Sequence, residues 1–170
     1  PVRVELDRNL DGTLDQVQHY NKNFILQYVE KDSKYSGMID WREVYGADNK
    51  VTRLETDENR NGRMDVFQYF SENGHLARVE YDTFHDGKID RWEFFGAKEA
   101  LESVHFDTNH DQIPDQWQYY NNSTQLVRVE HDSNFDGKAD RWEYFDDFGS
   151  MERIEFDNDH DGTLDIVKRR

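Results

Sequence analysis

Oxygen-bearing side chains at every second position could wrap a hard cation, and this chain carries them in clusters. The fullest cluster is Asp132 to Glu143, reading D-S-N-F-D-G-K-A-D-R-W-E. Asp132, Asn134, Asp136 and Asp140 stand at its first, third, fifth and ninth positions, Lys138 brings a main-chain carbonyl at the seventh, and Glu143 is twelfth. Ca²⁺ takes about six to eight oxygens, and alternate residues of a tight loop can turn inward to supply them. Gly137, sixth, suits the sharp bend because it reaches left-handed φ without a Cβ clash.

The cluster has siblings at intervals of 25 residues. First-position aspartates fall at Asp7, Asp32, Asp57, Asp82, Asp107, Asp132 and Asp157, and ninth-position ones at Asp15, Asp40, Asp65, Asp90, Asp115, Asp140 and Asp165. This is the ligand spacing of an EF-hand loop, repeated through a whole chain. The loops are graded. The first (Asp7, Asn9, Asp11, Thr13, Asp15) and seventh (Asp157, Asp159, Asp161, Thr163, Asp165) are well furnished. The fifth keeps Asp107, Asn109, Asp111, Ile113 and Asp115, but Gln112 replaces the glycine and Pro114 follows, which puts its backbone in question. The fourth has Asp82, Asp86, Lys88 and Asp90 around Phe84, and the third has Asp57, Asn59, Asn61, Arg63 and Asp65, a weak set. In the second, Lys34 and Ser36 displace two ligands, so it is expected to be empty, with Lys34 standing in for the metal. About five or six Ca²⁺ ions are expected in all.

The elements that must hold these loops read as strands. Arg78–Asp82 and Arg91–Phe94 alternate polar and apolar residues, with β-branched and aromatic side chains. Turn-forming segments such as Ser71–Gly74 and Asp146–Gly149 separate the repeats. Apolar residues recur three before each loop (Val4, Val29, Leu54, Val79, Val104, Val129, Ile154) and six before (Pro1, Leu26, Val51, Leu76, Leu101, Leu126, Met151). The expected fold is all-β: a solenoid-like array of seven 25-residue β-hairpins over residues 1–170, each carrying a calcium loop. The twelfth position alternates Gln18, Glu43, Gln68, Glu93, Gln118, Glu143, which hints at a 50-residue period. On a strand, Glu143 lies ~10 Å from the ninth residue and faces the other way. Ligation by Glu143, or pairing of Glu93 and Glu143 with arginines such as Arg78 and Arg128, both stay open. Glu80 and Glu130 are candidates to complete the coordination sphere.

Composition sets the surroundings. With 21 Lys+Arg against 37 Asp+Glu the net charge is −16, which repels nucleic acid and anionic membranes and suits cations. Aromatics at 14% argue against disorder. There is no cysteine for a disulfide or thiolate site, and no apolar run approaches the ~20 residues of a membrane span. No leader is visible, and the chain opens at Pro1 in mid-pattern, as a mature product or an excised fragment does.

The loops D-R-N-L-D-G-T-L-D, D-S-N-F-D-G-K-A-D and D-N-D-H-D-G-T-L-D resemble thrombospondin type 3 and dockerin-like calcium loops. The flanking W-E-Y-F-D-D-F-G-S-M-E-R-I-E-F-D resembles bacterial hairpin repeats of the YD and MORN-like kinds. These resemblances imply an extracellular, calcium-stiffened spacer and a bacterial surface or secreted shell. The expectation is a scaffold or stalk that is extracellular, on the cell surface or periplasmic; the alternative is a glycan- or protein-binding, adhesin-like module. Trp92, Trp117 and Trp142 form either an aromatic ladder for such a partner or the packing between hairpins, and Tyr20, Tyr45, Phe70, Phe95, Tyr120 and Phe145 fall on the opposite parity. His85, His110 and His160 occupy the fourth loop position, expected to be solvated. No nucleophile–base pair stands out, so no enzyme is read here.

Overall fold

The computed structural model describes residues 2–170; Pro1 lies outside the described residues. The fold is all-β, fourteen strands of open antiparallel sheet with sheet order equal to chain order. The chain packs as two compact units, 1–87 and 88–170. The first holds β1 (Val2–Leu6), β2 (Gln16–Tyr20), β3 (Leu26–Lys31), β4 (Trp41–Tyr45), β5 (Val51–Thr56), β6 (Val66–Phe70) and β7 (Leu76–Tyr81). The second holds β8 (Arg91–Phe95), β9 (Leu101–Phe106), β10 (Gln116–Tyr120), β11 (Leu126–His131), β12 (Arg141–Phe145), β13 (Met151–Phe156) and β14 (Ile166–Arg169), with one 3-10 turn at Ala97–Glu99.

Within each unit, neighbouring strands are joined at one end by an aspartate loop and at the other by a short turn. The turns share one geometry: Asn21 N–H donates to the Ile25 carbonyl, Phe24 N–H to the Asn21 carbonyl, and Phe24 takes φ +60°. A register shift follows each such turn, as between His19 and Tyr20 or Tyr144 and Phe145. A left-handed turn residue beside a bulge is a standard way to close a longer hairpin with the twist the strands require.

No thick core is available to strands packed this way, and burial is shared between the faces: Val17 and Glu55 are buried on one, and the best-buried valines lie in one row across each unit on the other. In the first unit the row reads Val4, Gln18, Val29, Glu43, Leu54, Gln68, Val79. In the second it reads Glu93, Val104, Gln118, Val129, Glu143, Ile154, Lys168. Each internal Gln or Glu therefore lies between two aliphatic neighbours. Val29, Val79, Val104 and Val129 are the most buried apolar residues of their strands.

The carboxylates of the row are paired: Glu43 receives Lys31 Nζ at 2.6 Å, and Glu143 is held by Arg141 Nη2, because an unpaired charge in this row is costly. The fourteenth-position tyrosines lie on this face: Tyr20 donates to Gln18 (2.8 Å), Tyr45 to Glu43 (2.7 Å) and Tyr120 to Gln118 (2.7 Å). Burial and the bond to Glu43 push the Tyr45 hydroxyl up to about 12.

The opposite face carries clusters of Tyr, Arg and Glu. Arg78 lies 4.3 Å above the Tyr69 ring, Arg128 4.2 Å above Tyr119 and Arg153 3.9 Å above Tyr144. Each Arg pairs with a Glu two residues on, and each Tyr hydroxyl reaches the same Glu, as at Tyr69–Glu80 (2.8 Å). Such stacking supplies cohesion that an ordinary apolar core would otherwise provide. Trp92, Trp117 and Trp142 are half-buried on this face, opposite His105, Glu130 and Glu155.

His105 lies here, 4.7 Å from Phe94 and 6.4 Å from Tyr119 between ring centroids. Burial holds its imidazole below its ordinary value. The unfolded chain then takes up its proton first, near ~6.5. Stability contributed by neutral His105 is therefore complete above that pH and is lost as pH falls through it toward the lower folded value. The urea midpoint is expected to drop between pH 7 and 5, and His105→Phe to flatten that dependence; an unchanged slope in the variant would place the effect elsewhere.

Candidate metal centre

Each loop is built by its own aspartates capping its amides. The ninth residue closes the loop on the strand before it: Asp140 N–H donates to the His131 carbonyl and Asp165 N–H to the Phe156 carbonyl. The first aspartate turns Oδ2 onto the sixth amide, at 2.9 Å from Gly12, 2.8 Å from Gly62, 2.7 Å from Gly137 and 2.8 Å from Gly162. The third side chain accepts the fifth amide (Asp11 N–H to Asn9, Asn61 N–H to Asn59, Asp111 N–H to Asn109, Asp136 N–H to Asn134, Asp161 N–H to Asp159). The fifth accepts the seventh amide, from Thr13, Arg63, Ile113, Lys138 and Thr163. These are chained Asx turns, the local bonding that short polar side chains offer in place of regular structure. Hydroxyl and amide donation from Thr13 and Thr163 lower the Asp11 and Asp161 carboxyls, keeping them ionised.

Gln112 takes φ +75° where the other loops hold glycine, and its N–H still reaches Asp107 Oδ2 at 2.7 Å. The fifth loop thus keeps the common course despite Gln112 and Pro114. A Cβ at that φ is strained, so Gln112→Gly is expected to stabilise the chain by about 1 kcal/mol, read as a rise in denaturation midpoint; destabilisation would contradict it.

The first- and ninth-position carboxylates of the inner loops are buried, whereas Asp165 of the seventh loop is exposed. Asp65 is 2% exposed and accepts the amides of Glu58 (2.9 Å) and Asn59 (3.1 Å). Three loops add a residue that sequence reading passed over, a second-position hydroxyl on the ninth carboxylate: Ser33 to Asp40 (2.8 Å), Thr108 to Asp115 (2.7 Å) and Ser133 to Asp140 (2.8 Å). A Ser or Thr directly after the first aspartate was the available signal.

The seventh loop has Asn158 there instead. Asp157, Asp159 and Asp165 each bring a carboxylate oxygen into a group whose members lie within 4.8 Å of one another. Asp157 is only 6% exposed; its Oδ2 is taken by Gly162, and its Oδ1 is buried without a partner. Among the described residues no lysine or arginine pairs with these three carboxylates. Asp15 Oδ1 in the first loop is likewise buried and unpartnered. Converging anionic oxygens with an orphaned buried atom fit an oxygen-seeking divalent cation. The sixth loop, fullest by sequence, has Asn134 where the seventh has Asp159 and does not bring three carboxylates together in this way; Ser133 takes both oxygens of Asp140.

The remaining positions separate. Asp82 and Asp86 belong to the first unit and Lys88 and Asp90 to the second; the amides of Asp86 and Gly87 cap Asp82. In the second loop Lys34 brings only its amide to Asp32 (3.3 Å), and its ammonium makes no ion pair among the described residues. The amides of Ser36, Gly37 and Lys34 outweigh burial and hold the Asp32 carboxyl low, a neutralisation expected of the ammonium. Glu143 is committed to Arg141 in β12, with His131 at 3.9 Å; Arg78 and Arg128 pair instead with Glu80 (3.2 Å) and Glu130 (3.0 Å) on the other face.

Successive loops are also bonded to each other. The ninth carbonyl of one accepts the first amide of the next, as at Asp32–Asp15 (2.8 Å), Asp57–Asp40 (3.0 Å), Asp132–Asp115 (2.9 Å) and Asp157–Asp140 (2.9 Å). Two fourth-position histidines add to this: His85 Nδ1 is 3.2 Å from Asp65 and His160 Nδ1 3.6 Å from Asp140. The chain matches no protein family and no curated protein.

Proposed function

We propose that the chain is a calcium-binding structural array: seven 25-residue hairpins in solenoid-like succession, each carrying a cation loop, serving as a scaffold or stalk of a secreted or cell-surface protein. The observation that carries this reading is the seventh loop, where Asp157, Asp159 and Asp165 bring carboxylate oxygens within 4.8 Å of one another and Asp157 Oδ1 is buried without a partner. The first loop supports it through Asp15 Oδ1. When bound, a calcium ion supplies positive charge among carboxylates that otherwise repel one another. Five such ions would bring the net charge of −16 to −6. An extracellular setting supplies millimolar calcium and keeps moderate sites filled. Asp157, Asp159 and Asp165 would hold the ion in the seventh loop, and Asp7, Asn9, Asp11 and Asp15 in the first. The test is thermal melting with calcium against melting in chelator; equal melting temperatures would overturn the reading.

A further inference from the structure

The first, fifth and sixth loops carry the same ligand side chains: Asp, Asn, Asp and Asp at the first, third, fifth and ninth positions. Their ninth carboxylates are held differently. In the sixth loop Ser133 meets both oxygens of Asp140, Oδ2 through its N–H (2.7 Å) and Oδ1 through its hydroxyl (2.8 Å). Thr108 holds Asp115 in the same way in the fifth loop, at 2.8 and 2.7 Å, and Ser33 holds Asp40 so in the second, at 2.7 and 2.8 Å. In the first loop the second residue is Arg8. Its N–H (2.6 Å) and that of Asn9 (3.2 Å) donate to Asp15 Oδ2, and its guanidinium turns to Gln16 Oε1 (2.8 Å). Asp15 Oδ1 is thereby left buried with no donor. The seventh loop has Asn158 at the second position; the amides of Asn158 and Asp159 donate to Asp165 Oδ2, and no donor among the described residues reaches Oδ1. Burial does not separate the first loop from the fifth and sixth, since Asp15, Asp115 and Asp140 are 3%, 5% and 6% exposed.

We infer that the second loop residue sets the order in which the loops take calcium: Arg8 and Asn158 let the first and seventh loops fill first, and Thr108 and Ser133 make the fifth and sixth fill later. Resting on the calcium reading above, this order ranks loops that a count of ligands leaves equal, and it puts the first above the sixth. A hydroxyl proton on Oδ1 occupies a lone pair and sets the positive end of its dipole where the cation would approach. To ligate, the carboxylate gives up or shares that bond. A hydrogen bond to a charged group is strong enough for this to cost roughly 10-fold in affinity. A buried oxygen without a donor gives up nothing and gains the whole compensation of its charge. The hydroxyl has the opposite effect without an ion, because it then satisfies the carboxylate and holds the loop to its course. The third loop stands with the hydroxyl loops, since Asn59 Nδ2 (3.1 Å) donates to Asp65 Oδ1 and His85 Nδ1 lies 3.2 Å from it. Ser133 and Thr108 therefore trade ion affinity for stability in the ion-free chain, and the first and seventh loops make the reverse trade.

The experiment is a calcium titration of the full chain followed by amide NMR at Gly12, Gly137 and Gly162, whose N–H groups each donate to the first aspartate of their own loop. Gly12 and Gly162 are expected to reach half-change at calcium concentrations roughly 10-fold below that for Gly137. Ser133→Ala removes only the hydroxyl and is expected to bring the Gly137 half-change down by roughly 10-fold, toward that of Gly12. Arg8→Ser and Arg8→Ala both delete a cation from the first loop, so charge alone would tighten both equally. Arg8→Ser is expected instead to bind roughly 10-fold more weakly than Arg8→Ala, because it alone brings a hydroxyl to Asp15. Urea denaturation in chelator gives the opposite signs: Ser133→Ala lowers the midpoint, and Arg8→Ser lies above Arg8→Ala. A general loss of structure would not raise affinity while lowering stability. If no loop glycine responds to calcium, the calcium reading and this ranking fall together. Coincident half-changes at Gly12 and Gly137, a Gly137 half-change unmoved by Ser133→Ala, or an Arg8→Ser chain that binds as tightly as Arg8→Ala would each overturn the ranking alone.

Discussion

Chelation is expected to lower the melting temperature by roughly 14–28 °C. A site at tenfold saturation contributes ~1.4 kcal/mol to the folded state, and five independent sites give ~7 kcal/mol. For a chain of this size each kcal/mol moves the melting temperature by ~2–4 °C. The effect has a structural source in the first and seventh loops, where Asp15 Oδ1 and Asp157 Oδ1 are buried without a donor. Without a cation these oxygens keep their charge away from water, and the neighbouring carboxylates add repulsion. The dependence should be specific to the loops: Asp157→Asn with Asp159→Asn is expected to remove part of the calcium increment and to raise stability in chelator, because it deletes charge that nothing balances. A variant that loses stability equally in both conditions would mean that these residues act only as turn caps.

The largest single-residue effect is expected at Asp65. Asp65→Ala strips the acceptor from the amides of Glu58 and Asn59 and from Asn59 Nδ2 (3.1 Å), and it removes the contact to His85. At 2% exposure no water replaces the carboxylate. Leaving two or more donors unmet costs about 2–4 kcal/mol. Asp165→Ala is the comparison: Asp165 caps Asn158 (2.7 Å) and Asp159 (3.3 Å) in the same manner but is exposed, so solvent takes over and the cost is expected to stay below ~1 kcal/mol. Urea denaturation in chelator separates this from ion loss. Equal effects at the two positions would show that burial does not set the energy of the ninth-position cap.

Much of the local architecture is legible in the residues themselves. The strands around Arg78–Asp82 and Arg91–Phe94 follow from their period-two alternation, and the turns from Asn, Asp, Ser and Gly clusters. The course of each loop follows from its Asx residues, whose bonds span two to seven positions. The exposed fourth positions and the glycine at the sixth belong to the same local logic. Gln112 shows its limit, because the fifth loop bends correctly against the preference of its own residue: the aspartates on either side outweigh one strained φ.

The sequence by itself determined the strand period, the 25-residue register, the loop positions and the acidic surface, because each of these depends on residues within one turn or one strand of each other. Only the tertiary structure decided that Glu143 answers to Arg141 rather than to a loop, that Ser133 and Thr108 hold the ninth carboxylates, and that Asp157 rather than Asp132 gathers its neighbours into a candidate site. Glu143 and Arg141 are two residues apart on one strand, Ser133 and Asp140 seven and Asp157 and Asp165 eight within one loop, so spacing brings them near, but which oxygen meets which donor depends on the folded course of that strand or loop.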